Sequence, residues 1–497
     1  MMNALLAGMD QLFTLSTMIT MVLGVAAGVV AAAIPGFTIT MAIVLTLPLT
    51  FTMAPLQGIA TMLAVYTGGC TGGLISAALL GIPGTPSSVA TTFDAFPMAR
   101  NGQPGRALAL GVWSSCFGAL ISAIILIIAA PPLAMIAVKL GAWEYFSLII
   151  FAMTVVASLV GKSVLKGLMT GLLGLFIASV GSDPMMGVAR FTFDTDLLAN
   201  GFPFLVVLIG IFAISQLLQE VEDAEQIKHG KALISSNVAF HPWAAMREVF
   251  TYPFNLLRSS LIGVFIGAVP GAGGSIANLL AYDQAKRASK TPETFGTGTP
   301  EGVIASESGN SATSGGGLIP MIALGIPGSA VDAVLMASLM VHGIGVGPRL
   351  ILDHGDLVYG MFMAMLVAAF MVLVVCLLSM RLFLRVTDVP RSIIVPVVLV
   401  CCVVGAFALN NRITDIYLLL GIGVLGYILS KLDYPLAPLV LGVILGPIAE
   451  TNLRRALMTN EDWTLFLSRP ISLLLLLLAV ASILFAIRHR RNTPQTA

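Results

Sequence analysis

The sequence contains very little charge for its length. Only 10% of its 497 residues are Asp, Glu, Lys or Arg, whereas about 25% is usual in a soluble domain. The hydrophobic share is 57%, so the chain has too few polar side chains to cover a surface that faces water on all sides. This scarcity of charge excludes an ordinary soluble protein.

Histidine, cysteine and basic clusters are also scarce. The five histidines show no metal-ligand spacing, so no metal site or cofactor is expected. The five cysteines lie in apolar or glycine-rich segments, which is typical of small buried side chains: Cys70, Cys116, Cys376, Cys401 and Cys402. A net charge of +1 without a basic patch argues against nucleic acid as a partner. A membrane enzyme would need clustered His or Cys or paired carboxylates, and the sequence shows no such group.

Long hydrophobic runs take the place of the missing charge. Several are close to the roughly 20 residues that cross a bilayer as a helix, among them YFSLIIFAMTVVASLV and YGMFMAMLVAAFMVLVVCLL. The first 33 residues lack the basic start of a secretory signal and carry Asp10, so we expect a retained first helix. The sequence predicts an all-α polytopic membrane protein.

The few basic residues predict an orientation, because Lys and Arg in short loops favour the cytoplasm. The polar stretch 220–258 is expected to be a cytoplasmic connector between a first membrane half, 1–219, and a second, 259–497. Counting crossings from there places Arg100 and Arg106 inside, while counting back from the basic tail places Arg349 outside. Three arginines break the rule by falling outside: Arg454, Arg455 and Arg469.

An internal repeat supports two halves of opposite orientation. The tetrad GIPG occurs at Gly81 and at Gly325, and a shift of 244 positions (325 minus 81) also aligns GGLISAALLGIPGT with GGLIPMIALGIPGS. Upstream, GVVAAAIPGFT pairs with GVFIGAVPGAG at a different shift. The repeat motifs cover 24–110 and 263–352. Inverted repeats of this kind are the usual build of a secondary transporter, with the substrate near the midplane where helices break.

The GIPG tetrads predict broken helices. Proline between glycines ends a helix, and the freed backbone groups must lie inside protein or beside a water-filled cavity. Exposed N–H groups at a half-helix N-terminus can hold a carboxylate. The alternative is that these small residues serve only helix packing. We expect the substrate to contact residues of both tetrads, the hydroxyls behind them and part of the polar segment described next: Gly81, Pro83, Gly84, Thr85, Ser87, Ser88, Thr91, Asn310, Ser311, Gly325, Pro327, Gly328 and Ser329.

A second polar group lies in SESGNSATSGGG, residues 306–317. Unwound backbone carbonyls with Asn, Ser and Thr oxygens would suit sodium, and Glu307 could instead carry a proton. The alternative is a solvated loop. The expected cation ligands are Glu307, Asn310, Thr313, Ser314 and Asp332. The matching YTGGCTGG of the first half lacks a carboxylate, so the halves are not expected to be chemically equivalent.

Two further segments, IPGFT (34–38) and VPGAGGSIAN (269–278), are typical of broken-helix ends. The second contains GAGGS without the lysine of a phosphate-binding loop, which argues against nucleotide binding. Asp94 and Asp283 are interpreted as interfacial residues, with an ion-ligand role as the alternative.

These strings together resemble the large membrane subunit of the tripartite tricarboxylate transporters. The resemblance runs essentially from end to end and rests on GIPGTPSSVATTFDAFPMARNGQPGRAL, PGAGGSIAN and ESGNSATSGGGLIPMIALGIPGS. It implies about twelve helices and ion-coupled uptake of citrate or another di- or tricarboxylate across the bacterial inner membrane. It also implies two partners, a small membrane subunit of about four helices and a periplasmic solute-binding protein. Sodium is the expected coupled ion and protons the alternative; a standalone carrier or a channel is the rival function.

Overall fold

The computed structural model describes residues 2–159, 163–183, 186–195, 198–223, 241–383 and 391–491. Most of these residues are helical, and the described strands are a hairpin of two short strands, β1 (Gly181–Ser182) and β2 (Ala189–Arg190). The chain divides into two compact units, 1–132 with 220–401 and 133–219 with 402–497. Each unit therefore draws on both halves of the sequence, and the division into membrane halves 1–219 and 259–497 stays a prediction.

The first unit is built around two long buried helices. Its helices are α1 (Met2–Leu12), α2 (Leu15–Ala33), α3 (Ile39–Thr50), α4 (Pro55–Leu80), α5 (Thr91–Arg100), α11 (Pro242–Val249), α12 (Pro253–Ala268), α13 (Gly273–Ala288), α14 (Pro300–Leu324), α15 (Ala330–Val341), α16 (Leu350–Asp353) and α17 (Gly355–Phe383). Nearly every residue of α4 and α14 is buried. Such helices carry hydrophobic or small residues on all sides because no side faces water.

The second unit holds α7 (Ala142–Leu159), α8 (Val164–Ser179), α9 (Phe204–Ile209), α19 (Ile413–Lys431), α20 (Leu436–Thr459), α21 (Leu465–Ser468) and α22 (Pro470–Arg491). Helices α6 (Pro104–Ala137), α10 (Ser215–Asp223) and α18 (Arg391–Asn410) carry the chain from one unit to the other. A π-helical turn, Gly210–Ile214, joins α9 to α10. In this unit α8 packs along α20, and α7 packs along α20 and α22.

The prediction of an all-α polytopic membrane protein is confirmed. Nine described helices are long and apolar enough to cross a membrane, or ten if α11 and α12, which meet at 82°, form one bent span. Four other described helices are apolar but only 10–17 residues long, such as α3 and α15. The count of about twelve membrane helices stays a prediction.

The repeated sequences fold into the same succession of elements. Helix α2 packs along α4 as α12 packs along α14, and in each pair the backbones touch at small residues. A β-carbon on Gly28 would collide with the carbonyl oxygen of Val65, and one on Gly263 would collide with that of Gly309. These contacts match at the sequence shifts of the repeat, so both helix pairs share one packing register. The opposite membrane orientation of the halves stays a prediction.

The prediction of an unwound backbone at 306–317 is wrong, and so is its solvated-loop alternative. This stretch lies inside α14, a continuous and buried helix. Its glycines do not break the helix because they are the points at which neighbouring backbones approach; Gly316, for example, faces the Val264 carbonyl of α12. Helix glycines cost stability, and close packing of this kind offsets that cost.

The polar connector is described only in part, because residues 224–240 lie outside the described residues. Its remainder forms α11 and the first turns of α12. Glu248 of α11 forms an ion pair with Arg106 of α6, and Trp113 of α6 donates a hydrogen bond of 2.9 Å to the Pro242 carbonyl. The connector is therefore attached to α6, the second α-helix after the first GIPG.

Candidate functional site

The two GIPG tetrads end α4 and α14 in the same way. Gly81 has a φ of 68° and Gly325 a φ of 71°, which is the left-handed conformation that favours glycine at a helix end. Pro83 and Pro327 follow two residues later and cannot return the chain to either helix. The predicted helix breaks are therefore present, both in the first unit.

The hydroxyls behind the first tetrad mostly bond one another. The Ser88 Oγ donates to the Thr85 carbonyl at 2.8 Å and accepts from the Thr85 N–H at 3.2 Å, closing a short 3-10 turn. Ser87 Oγ lies 3.0 Å from Thr85 Oγ1. Gly84 packs against the carbonyl of Ala32, where a side chain would not fit. The side-chain hydroxyls of this loop are therefore used in hydrogen bonds within the loop itself.

The second tetrad is followed by a capped helix with a carboxylate. Ser329 caps α15 by accepting from the Asp332 N–H at 3.3 Å, and its hydroxyl donates to Asp332 Oδ2 at 2.7 Å. Asp332 is 0% exposed, and its Oδ1 has no hydrogen-bond partner within the described residues. Gly328 and Gly317 leave room for this side chain, since a β-carbon on either would meet Asp332 Oδ2 or approach it.

Glu307 occupies a separate polar cluster between α14, α5 and α6. Its Oε1 accepts from Thr91 Oγ1 at 2.5 Å, and its Oε2 accepts from Ser115 Oγ at 2.8 Å. The carboxyl is 0% exposed. Across the described residues, neither Glu307 nor Asp332 forms an ion pair with Lys, Arg or His. Two buried carboxyl groups thus lack a fixed compensating charge, which is costly unless a proton or a cation joins them.

The remaining predicted residues of α14 behave in two ways. The hydroxyls of Thr313 and Ser314 donate to their own helix, at 2.6 Å to the Asn310 carbonyl and 2.8 Å to the Ser311 carbonyl. Asn310 Nδ2 donates to the Cys70 carbonyl at 2.8 Å, whereas its Oδ1 has no partner among the described residues. Ser311 Oγ is likewise without one. The predicted cation ligands therefore do not form one cluster: Glu307 bonds Thr91 and Ser115, while Asp332 bonds Ser329.

Sequence reasoning missed two residues of the site. Ser115 gave no signal, because the adjacent serines Ser114 and Ser115 in the apolar run of α6 resemble the small residues common in membrane helices. Asn278 lies in the PGAGGSIAN motif, yet its role needed the fold: its Oδ1 accepts from the Ala90 N–H at 2.6 Å and its Nδ2 donates to the Ser306 carbonyl at 3.0 Å. Asn278 thereby ties the segment behind the first tetrad to α13 and α14.

Asp94 serves as an anchor for the polar loop before α14. Its Oδ1 accepts three backbone N–H groups, from Gly296, Gly298 and Thr299, at 2.8–2.9 Å, and its Oδ2 accepts the Tyr282 hydroxyl at 2.8 Å. Both oxygens are thus occupied by protein donors. Asp283 instead lies on the surface, paired with Arg287 at 2.8 Å.

The N-terminus of α13 is the place where the two repeats meet. A β-carbon on Gly274 would lie 2.8 Å from Asn310 Oδ1, 2.9 Å from Ser87 Cβ and 3.5 Å from Thr313 Oγ1. One turn earlier, the Gly271 N–H donates to the Gly328 carbonyl at 2.8 Å. Side chains behind the first tetrad and on α14 thus converge on one helix end.

No group of three or more His, Cys, Asp or Glu that could hold a metal ion occurs in the described part of the chain. The five cysteines form no disulfide with one another. Four are buried as predicted, but Cys401 is exposed on α18, so burial was the wrong prediction there.

Sequence comparison with known proteins identifies the family of this chain. A profile of the tripartite tricarboxylate transporter TctA family matches residues 18–441. The chain belongs to this family. It is therefore a multi-pass membrane protein of a transporter family whose description names a three-part system for tricarboxylates, as the sequence resemblance implied.

Two relatives of this family member come from Agrobacterium vitis. One, named "Uncharacterized 52.8 kDa protein in TAR-I ttuC' 3'region", is 32% identical over 490 residues, covering 98% of this chain and 97% of the relative. The other, "Uncharacterized protein in TAR-II ttuC' 3'region", is 32% identical over 235 residues, covering 46% of this chain and 97% of the relative. No solved structure gives a significant match.

Proposed function

We propose that this protein is the large permease subunit of a binding-protein-dependent secondary transporter that imports a di- or tricarboxylate such as citrate across the bacterial inner membrane. The observation that carries the proposal is a pair of buried carboxyl groups, Glu307 and Asp332, near two helix breaks. Neither has a cationic partner among the described residues. Helix breaks offer the backbone donors that an anion needs. Uncompensated carboxyls offer sites for the cations that must travel with it.

The charge of the substrate requires cation coupling. Moving one charge against a membrane potential costs about 2.3 kcal/mol per 100 mV. A divalent anion entering a negative interior therefore costs about 4.6 kcal/mol and a trivalent one about 7 kcal/mol. Cotransported cations must at least cancel this charge, and we assign that role to the region of Glu307 and Asp332.

Sodium is our first choice for the coupled ion. The oxygens of Ser311 and Asp332 that have no partner among the described residues are hard ligands of the kind that alkali cations take. Glu307, whose oxygens already accept two hydroxyl donors, suits a proton instead and keeps proton coupling as the alternative.

We infer an alternating-access cycle with two partners, a small membrane subunit of about four helices and a periplasmic solute-binding protein. The site would open to each side in turn as one bundle moves. We expect helix α22 to contact lipid or the small subunit, because only 11% of its apolar stretch is buried within the chain.

Uptake by reconstituted vesicles tests this function. The full chain, with and without the small subunit and binding protein, is supplied with radiolabelled di- and tricarboxylates under a sodium gradient, a proton gradient or neither. We expect saturable, gradient-dependent accumulation that requires the binding protein. Accumulation without the binding protein would favour a standalone carrier, and flux without saturation or a gradient would favour a channel.

A further inference from the structure

The N-terminus of α13 lacks the side-chain cap that is present at three other starts behind glycine-proline breaks: α3, the 3-10 turn Pro86–Ser88 and α15. Thr38 caps α3 by accepting from the Met41 N–H at 3.2 Å, Thr85 and Ser88 cap the 3-10 turn, and Ser329 caps α15. Helix α13, 16 residues long, has no side-chain cap at its N-cap residue Ala272. Its first residues, 273–276, are only partly buried. The first-turn N–H groups are thus free to bind an anion, which the helix dipole favours.

A second observation points to a ligand at the same place. Asn310 is 1% exposed, and its orientation is fixed because Nδ2 donates to the Cys70 carbonyl at 2.8 Å. Its Oδ1 has no partner within the described residues and lies 2.8 Å from the β-carbon position of Gly274, in the first turn of α13. A buried acceptor without a donor destabilises the structure, so we expect a ligand to supply a donor group to this oxygen.

The donor that Asn310 needs is a neutral one. The positive end of the α13 dipole lies beside Asn310 Oδ1 and disfavours a cation there. A carboxylate would be repelled by the Asn310 oxygen itself but attracted by the N–H groups of α13. A ligand with a carboxylate and a hydroxyl on a neighbouring carbon satisfies both groups at once.

We propose that the α13 N-terminus and Asn310 form a hydroxycarboxylate subsite. One substrate carboxylate accepts from the free N–H groups of residues 273–275, and the adjacent hydroxyl donates to Asn310 Oδ1; Ser87 and Thr313 line the space between them. This inference rests on the proposed carboxylate transport and narrows it to substrates that carry a hydroxyl group.

Paired ligands that differ by one hydroxyl test the subsite on the purified full-length chain in detergent, without the binding protein and with sodium present. The pairs are citrate against tricarballylate and malate against succinate, and the dissociation constants come from calorimetry or ligand-induced shifts in Tm. We expect the hydroxylated member to bind at least about tenfold tighter, since a site built for a hydroxyl rejects the analogue without it.

Variants assign the effect to these groups. Asn310→Ala should reduce the affinity ratio of each pair to about one while binding of succinate and tricarballylate persists. Gly274→Ala should weaken both members of each pair, because its methyl group fills the space before Asn310 and Ser87. Gly421→Ala, at a helix position with nothing within 4 Å, is the matched control and should change neither.

Three results would overturn the subsite: equal affinities within each pair for the wild-type chain, no saturable binding of any of the four compounds, or an unchanged ratio in Asn310→Ala. The wild-type ratio decides the question even if that variant does not fold. Gradient-driven uptake without a hydroxyl preference in binding would leave the transport function standing and refute only the subsite.

Discussion

The two repeated segments share the packing of their helix pairs but differ in chemistry. Helices α4 and α14 both end at a left-handed glycine, and α2 and α12 pack on them in one register. Yet Glu307 aligns with Leu63, and Asp332 aligns with Ser88, at the shift of 244 positions. Glu307 and Asp332 therefore both belong to the second repeat, whereas the buried Asp94 of the first repeat has both oxygens occupied by protein donors.

The helix caps also differ between the repeats. At the shift that aligns IPGFT with VPGAG, the cap residue Thr38 corresponds to Gly273, which has no side chain. Helix α3 is capped by its own threonine, whereas α13 is left open. Duplicated packing thus gives the scaffold, and a few substitutions in one copy supply the charged and open positions. Substitutions at these positions, some of them to the residue found in the other repeat, test whether the chemical difference between the repeats matters for transport.

The largest effect is expected at Glu307. Glu307→Gln keeps the shape of the side chain but removes its ability to carry a cation or a proton. One uncompensated charge costs about 2.3 kcal/mol per 100 mV, which is about a 50-fold loss in accumulation ratio. Vesicles clamped near 100 mV measure that ratio. Asp283→Asn, at the exposed pair with Arg287, is the control; an unchanged ratio in Glu307→Gln would remove this residue from coupling.

A smaller effect is expected when Asp332 is replaced by its counterpart in the first repeat. Asp332→Ser fits a position where Ser88 is already tolerated, but it removes a charged oxygen. We expect the half-saturating sodium concentration of uptake to rise about tenfold, equivalent to about 1.4 kcal/mol. The measurement is uptake against sodium concentration at saturating substrate. The same curve for variant and wild type would place the sodium site elsewhere.

The shared register predicts matched losses of stability. Gly28→Ala and Gly263→Ala each place a methyl group on a carbonyl oxygen of the facing helix. Overpacking of this kind costs about 1–3 kcal/mol, so both variants should lower the Tm in detergent by similar amounts. Gly421→Ala, with open space around it, should not. A large loss in one variant alone would show that the two helix pairs are not equivalent.

The smallest effect is expected at the α3 cap. Thr38→Ala removes a side-chain acceptor from the Met41 N–H and should cost about 1 kcal/mol of stability. Because α3 is capped by the protein itself, the KM for substrate should stay unchanged. Thermal unfolding and uptake kinetics measured on one preparation separate the two readouts, and a raised KM would assign substrate binding to the α3 end as well.

Three arginines illustrate a limit of reasoning from charge alone. Arg454 and Arg469 break the predicted orientation rule, which counts each arginine as a free charge. In the second unit Arg454 pairs with Asp183 and Glu450, at 2.8 and 2.7 Å, and Arg469 pairs with Glu144 at 3.0 Å. Asp183 and Glu144 are distant in sequence, so these two pairings could not be predicted, whereas Glu450 lies one helical turn before Arg454. Arg455 is left without such an explanation.

The sequence by itself determined that the chain lies in a bilayer, where its helices break, and that Glu307 and Asp332 are candidate cation ligands. Hydrophobic runs select a bilayer, and Gly and Pro restrict or free the backbone locally, so the ends at Gly81 and Gly325 were predictable. Tertiary structure decided the rest. It kept 306–317 helical through backbone contact with α12, brought Ser115 and Thr91 to Glu307, and aimed Asn310 at the open end of α13. Those contacts join residues from separate parts of the chain, and only packing brings such groups together.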